Sequence, residues 1–175
     1  MAAYRWLLDQ GTAAENIVMV GESAGGGLCL ATLLALRDQG IPLPSAAVAI
    51  SPWTDLKCTG ESYRTKAGVC LSPPGSWMVF SACYAGDHDL GNPCVSPLYG
   101  DLDGLPPILI YAGEDEVLRD DSVRFTEKAS QAGVEIQMKV GGGMVHCYPL
   151  LPDFIPESRQ ALDEICGFIK THLGA

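Results

Sequence analysis

The sequence is poor in histidine, basic residues and aromatic rings, and it contains no low-complexity tract and no long apolar run. Only 11 lysines and arginines stand against 21 aspartates and glutamates, giving a net charge of -10. A surface of that sign repels phosphate backbones and anionic lipid headgroups, so neither nucleic acid nor a membrane is an expected partner. The longest apolar stretch, around Leu28 to Leu36, falls short of the ~20 residues that a bilayer-spanning helix needs. The amino terminus lacks the basic region and extended apolar core of a signal peptide. The cysteines (Cys29, Cys58, Cys70, Cys83, Cys94, Cys147 and Cys166) are odd in number and scattered, with no Cys-x-x-Cys pair. That pattern suits buried thiols in a reducing compartment better than a disulfide framework or a zinc site, so a cytoplasmic protein is expected.

What is present is organised around one stretch, Asn16-Ile17-Val18-Met19-Val20-Gly21-Glu22-Ser23-Ala24-Gly25-Gly26-Gly27. A short apolar strand leads into Gly-x-Ser-x-Gly, and an apolar run of helical length follows. Strand, tight turn and helix in that order are the context of a nucleophile elbow, in which the serine is held in a strained conformation above the sheet. A Cβ at Gly21 or Gly25 is expected to collide with the neighbouring strand or helix. The first amides of the helix, Ala24 foremost, are expected to face an oxyanion formed beside Ser23.

The 175 residues make one domain of ordinary size. Residues 2 to 10 have helical spacing, Thr12 to Glu15 allow a single turn, and the elbow strand runs over 16 to 20. The helix after it reaches about Asp38. Ala46 to Ile50, Ile108 to Tyr111 and Val134 to Val140 are further strands. A helix is expected from about Asp121 to Gln131, with Asp120 or Asp121 as its N-cap, and another from Glu157 to Leu173. Between about 57 and 97 the periodicity weakens into a loop-and-helix excursion. Strands alternating with helices define an α/β fold with a mostly parallel sheet covered by flanking helices.

In an open parallel sheet the functional groups gather beyond the carboxyl ends of the strands. A serine hydroxyl near neutral pH needs a base in reach, and the base needs an acceptor on its other nitrogen. Three histidines compete for that role. His172 lies near the chain end, where a solvated position is expected, and His88 sits among Asp87 and Asp89 on a surface turn. His146 follows Gly141-Gly142-Gly143 after the fourth strand, where a catalytic loop belongs. Cys147 has no elbow of its own. Five acids crowd the loop after the third strand: Glu114, Asp115, Glu116, Asp120 and Asp121. Spacing alone does not separate Asp115 from Glu116.

Taken together, these motifs resemble the hormone-sensitive-lipase-like branch of the α/β hydrolases, the bacterial group IV carboxylesterases. Gly21 to Gly26 resembles that family's Gly-Asp-Ser-Ala-Gly-Gly elbow, with Glu22 for the usual aspartate. Ser51-Pro52-Trp53-Thr54-Asp55-Leu56, Ser96-Pro97-Leu98 with Gly104-Leu105-Pro106-Pro107, and Gly143-Met144-Val145-His146 resemble later family segments in order. Aligning Leu118-Arg119-Asp120 on the family's acid motif puts Glu116 at the acid position, with Asp115 as the alternative. The resemblance implies that 57–97 is a cap-like insertion whose apolar residues line an acyl pocket. It covers the C-terminal half of the family, and the family's His-Gly-Gly-Gly oxyanion motif does not occur in the sequence.

The expectation is a partial, N-terminally truncated α/β-hydrolase domain over 1–175. Its implied activity is hydrolysis of short-chain carboxylic esters through an acyl-enzyme, without metal or cofactor. Ser23 is the nucleophile, His146 the base, Glu116 or Asp115 the acid, and the Ala24 amide an oxyanion donor. Thioesterase, peptidase and amidase chemistry use the same residues. The alternative is a non-catalytic domain that self-associates through an exposed sheet edge or forms half of a split enzyme.

Overall fold

The computed structural model describes residues 1–173. Helix α1 (Ala2–Asp9) and one 3-10 turn precede strand β1 (Val18–Glu22) and helix α2 (Ala24–Asp38). Strand β2 (Ala46–Ile50) is followed by the short helices α3 (Ser62–Thr65) and α4 (Ser76–Ala85). Strand β3 (Ile108–Asp115), helix α5 (Arg119–Gln131), strand β4 (Ile136–Val145) and helix α6 (Pro156–His172) complete the chain. The strands lie side by side in the order β1-β2-β3-β4, every neighbouring pair parallel.

Strand β2 contains no polar side chain and is buried throughout, because a parallel sheet is covered on both faces. Ala47 and Ala49 face a core with Leu30 and Leu33 of α2 and Phe125 of α5. Val48 and Ile50 face the opposite way, toward Tyr148 and toward Ala161 and Ile165 of α6. Strand β1 is an edge, and Val20 on it is 53% exposed. Residues 57–97 hold α3 and α4 and no strand. They are held over the sheet by a cluster in which Trp53, Tyr63 and Trp77 pack with Val117 and Leu118 from the β3–α5 connection. Helix α4 is apolar nearly all round and leaves Met78, Val79, Phe80 and Tyr84 exposed. No described helix is long and apolar enough to cross a membrane.

Several local expectations are corrected. Strand β1 extends to Glu22, so Ser23 follows the strand directly. Strand β4 runs through the three glycines to Val145 rather than stopping at Val140. It accommodates them by a bulge: Gly113 pairs with Gly141, yet Asp115 pairs with Val145, two residues on β3 against four on β4. Neither Asp120 nor Asp121 caps α5, whose N-cap position is Leu118 with no side-chain cap bond. Instead Asp120 Oδ2 accepts the Ser62 N–H at 2.8 Å, and Asp121 Oδ2 accepts the N–H groups of Thr54 at 3.0 Å and Asp55 at 2.8 Å. The thiols are all free, but only Cys29 is fully buried; Cys83, Cys94 and Cys166 are exposed. His172, expected in solvent, is half-buried with its ring 4.2 Å from that of Phe168.

Candidate active site

Ser23 occupies a backbone conformation that L-residues avoid, with φ 53° and ψ -120°. Hydrogen bonds on both sides hold it there. Its N–H donates to Ile50 O at 2.8 Å, and its carbonyl accepts from Gly27 N–H at 3.2 Å and Trp53 N–H at 3.0 Å. The turn is closed so tightly that a Cβ on Gly21 would lie 2.2 Å from Gly25 O. The second crowded glycine is not Gly25, where an added Cβ meets nothing within 4 Å, but Gly27, where it would lie 2.0 Å from Trp53 O. Helix α2 can therefore approach the loop after β2 only without a side chain at position 27.

His146 follows β4 and connects the other two groups. Its Nε2 is 3.0 Å from Ser23 Oγ, and its Nδ1 is 3.1 Å from Glu116 Oε2. An ionised carboxylate only accepts, so the Nδ1 proton faces Glu116 and the Nε2 lone pair faces the serine hydroxyl. Glu116 is 0% exposed and the His146 side chain 17% exposed, which shields this chain of bonds from water.

The crowded acids separate cleanly. Asp115 pairs with Lys66 Nζ at 2.9 Å, and its side chain is 34% exposed. Glu114 Oε2 accepts the Gly143 N–H at 2.8 Å and fastens the bulge in β4. Of the two acid candidates, Glu116 lies against His146 and Asp115 does not.

Cys147 Sγ lies 3.4 Å from His146 Nε2 and 3.3 Å from Glu22 Oε2. Burial pushes the thiol up, and the adjacent Glu22 carboxylate and the nearby Glu116 push it further, so it stays protonated. A protonated thiol is not a nucleophile. Ala24 is the first residue of α2, so its N–H has no acceptor within the helix. A cavity of about 140 Å³ opens beside Ala24 and is lined by Gly27, Leu28, Trp53, Phe80, Tyr84 and Val95 among others. A larger depression, about 550 Å³ beside Phe154 and Arg159, is open to solvent and contains none of these groups.

Two further residues, Glu114 and Ser51, shape the site without contributing to the Ser23–His146–Glu116 line. Glu114 fixes the glycine bulge, and its signal would have been an acid aligned with three glycines on the next strand. Ser51 stands immediately after β2 and is 0% exposed. Its hydroxyl donates to Glu116 Oε2 at 2.7 Å and accepts the Cys147 N–H at 3.0 Å.

A serine on a strained elbow at the carboxyl end of a parallel sheet, bonded to a histidine that is itself bonded to a buried carboxylate, the two following later strands, defines the α/β-hydrolase class. The sequence profile described as alpha/beta hydrolase fold matches residues 1–150, and the chain belongs to that family. It is 41% identical over 175 residues to an acetyl-hydrolase of Streptomyces hygroscopicus, covering 99% of this chain and 58% of that protein. An esterase of Acinetobacter venetianus is 40% identical over 167 residues, 94% of this chain and 55% of the esterase. Among solved structures, an esterase of the bacterial hormone-sensitive lipase family superposes with a TM-score of 0.95 at 42% identity. The esterase EstE5, in a crystal soaked with p-nitrophenyl butyrate, superposes with a TM-score of 0.94 at 41% identity. Both matches cover 99% of this chain and 59% of the other. The chain thus spans a little over half the length of the relatives it matches.

Proposed function

We propose that the chain carries the catalytic residues of a serine carboxylic ester hydrolase that works through an acyl-enzyme. The observation that carries the reading is the unbroken line from Ser23 Oγ through His146 to Glu116. Ser23 Oγ attacks the ester carbonyl carbon while its proton passes to His146 Nε2. The negative oxygen of the tetrahedral intermediate accepts from the Ala24 N–H. On collapse the ester C–O bond breaks, and the alkoxide leaves as the alcohol with the proton from His146. A water, deprotonated by His146, then attacks the acyl-enzyme, and the carboxylic acid departs as Ser23 regains its proton. Glu116 keeps the imidazole in the tautomer this cycle needs and stabilises the imidazolium between steps.

The small apolar cavity beside Ala24 supports a short acyl group as substrate, and the p-nitrophenyl butyrate used with EstE5 is of that class. The Ala24 N–H, first in helix α2 and next to Ser23, is the oxyanion donor that these residues place beside the nucleophile. Hydrolysis of p-nitrophenyl acetate and butyrate by the chain and by Ser23→Ala tests the reading.

We also propose that the unpaired edge of β1, with Val20 exposed on it, adds to a second copy of this chain. Light scattering of the chain and of Val20→Lys checks this, because a dimer that persists in Val20→Lys contradicts it.

A further inference from the structure

Within the segment from Ser51 to Leu56, Trp53 holds the Ser23 carbonyl and lines the cavity, whereas Ser51 has no part in the catalytic cycle above. We propose that Ser51 is a positioning residue for this site: its hydroxyl locks the Glu116 carboxylate and the backbone beside His146 into one geometry. The inference rests on the reading of Ser23, His146 and Glu116 given under the proposed function.

Ser51 sits where three strand ends meet. Its backbone N–H donates to Tyr111 O at 2.6 Å, which places it against β3. A hydroxyl has one proton and two lone pairs, and Ser51 commits the proton to Glu116 Oε2 and a lone pair to the Cys147 N–H. Glu116 Oε2 also receives His146 Nδ1. Ser51 Oγ, Glu116 Oε2, His146 Nδ1 and the Cys147 amide therefore form a closed ring, linking the ends of β2, β3 and β4. Both protein bonds to the carboxylate converge on Oε2, while Oε1, buried as well, has no protein partner. Ser51 thus decides which oxygen of Glu116 faces the imidazole.

The backbone agrees with a selected role. Ser51 has φ 48° and Cys147 has φ 56°, both in the left-handed region where glycine is the easy choice. Neither position is glycine, and the same hydroxyl bonds across both. A glycine at position 51 would adopt this backbone without strain but would leave Glu116 with a single bond and the Cys147 N–H without its acceptor.

Two substitutions separate the hydroxyl from the backbone. Ser51→Ala removes the hydroxyl and keeps the strain, and Ser51→Gly removes both. Both are expected to lower kcat about 10–100-fold with KM within about twofold, as a displaced catalytic group does. In an Ser23-independent readout, the far-downfield Nδ1 proton resonance of the His146 imidazole is expected to shift and broaden in both variants, with thermal unfolding still cooperative. In a Glu116→Gln background, Ser51→Ala is expected to cost less than in the wild type, because the hydroxyl acts through the carboxylate. Wild-type kcat in Ser51→Gly, or an unchanged Nδ1 resonance in Ser51→Ala, overturns the proposal. The resonance decides this even where hydrolysis is unmeasurable, whereas failure of the functional reading shows as equal hydrolysis by the chain and Ser23→Ala.

Discussion

Asp115 at the end of β3 pairs with Val145 at the end of β4, and the residues that follow the two strands, Glu116 and His146, make the site's carboxylate–imidazole bond. The pairing depends on the bulge between Gly113 and Asp115, since without it the register starting at Gly141 would leave His146 two residues out of step. Glu114, bonded to the Gly143 N–H, anchors that bulge from the opposite strand. Three consecutive acids thus have three separate tasks: anchoring the bulge, pairing with Lys66, and facing the imidazole.

The first prediction follows from that division. Glu116→Ala removes the imidazole's acceptor and should lower kcat by as much as about 10⁴, the loss seen when a triad acid no longer fixes the tautomer. Asp115→Ala removes only a partly exposed pair with Lys66 and should change kcat less than about threefold and stability by under ~1 kcal/mol. Steady-state hydrolysis of p-nitrophenyl butyrate by both variants checks this. A larger loss in Asp115→Ala contradicts the assignment.

A second prediction concerns the glycines. A Cβ on Gly113 would lie 2.4 Å from Met144 O and 2.5 Å from Val145 O, both backbone atoms beside His146. Gly113→Ala should destabilise by about 1–3 kcal/mol or more and reduce activity, while Gly25→Ala meets open space and should unfold at nearly the wild-type denaturant midpoint. Urea unfolding with equal m-values compares them. Equal midpoints for the two variants would be contrary to the bulge geometry.

The buried carboxylate of Asp121 gives a third. Its Oδ2 receives the Thr54 and Asp55 N–H groups and the Tyr63 hydroxyl, so Asp121→Ala strands several buried donors. Each stranded donor costs about 1–3 kcal/mol, and the loop after β2, with Ser51 and Trp53, should loosen. Chemical denaturation measures the loss; a change below ~1 kcal/mol contradicts this role.

Thiol reactivity gives a fourth. The Cys147 thiol is raised by burial and by Glu22, whereas Cys83, Cys94 and Cys166 are exposed. Because the thiolate is the reacting form, iodoacetamide near neutral pH should modify the three exposed residues well before Cys147. Peptide mapping against time reads the order. Preferential labelling of Cys147 would reverse the conclusion that it stays protonated beside His146.

The elbow was legible in the sequence because Gly21 and Ser23 are constrained by neighbours close in the chain. His146 was legible by elimination among three candidates. The distinct tasks of Glu114, Asp115 and Glu116 were not, because they depend on a bulge in the neighbouring strand that periodicity cannot register. Asp121 looked like a helix cap because its true partners, Thr54 and Asp55, lie more than 60 positions away. Gly25 stands free for a related reason: the atoms that crowd α2 come from Pro52 and Trp53, distant in sequence, and they press on Gly26 and Gly27 instead. Ser51 was visible as part of a motif, but nothing in its local sequence reveals that one hydroxyl bridges two other strands.

The cavity beside Ala24 predicts an acyl-length preference. Acetyl and butyryl esters should be hydrolysed with higher kcat/KM than octanoyl esters, and Phe80→Ala should shift the preference toward longer chains by opening the wall formed by α4. A chain-length series on wild type and variant measures this, and an unchanged profile would place the acyl group elsewhere.

The most direct measurement compares p-nitrophenyl butyrate hydrolysis by the purified chain and by Ser23→Ala under identical conditions, with mass spectrometry of the chain quenched during turnover. An acyl-enzyme mechanism predicts a rate above that of Ser23→Ala and a butyryl adduct on Ser23. Equal rates, or an adduct on a different residue, would contradict it.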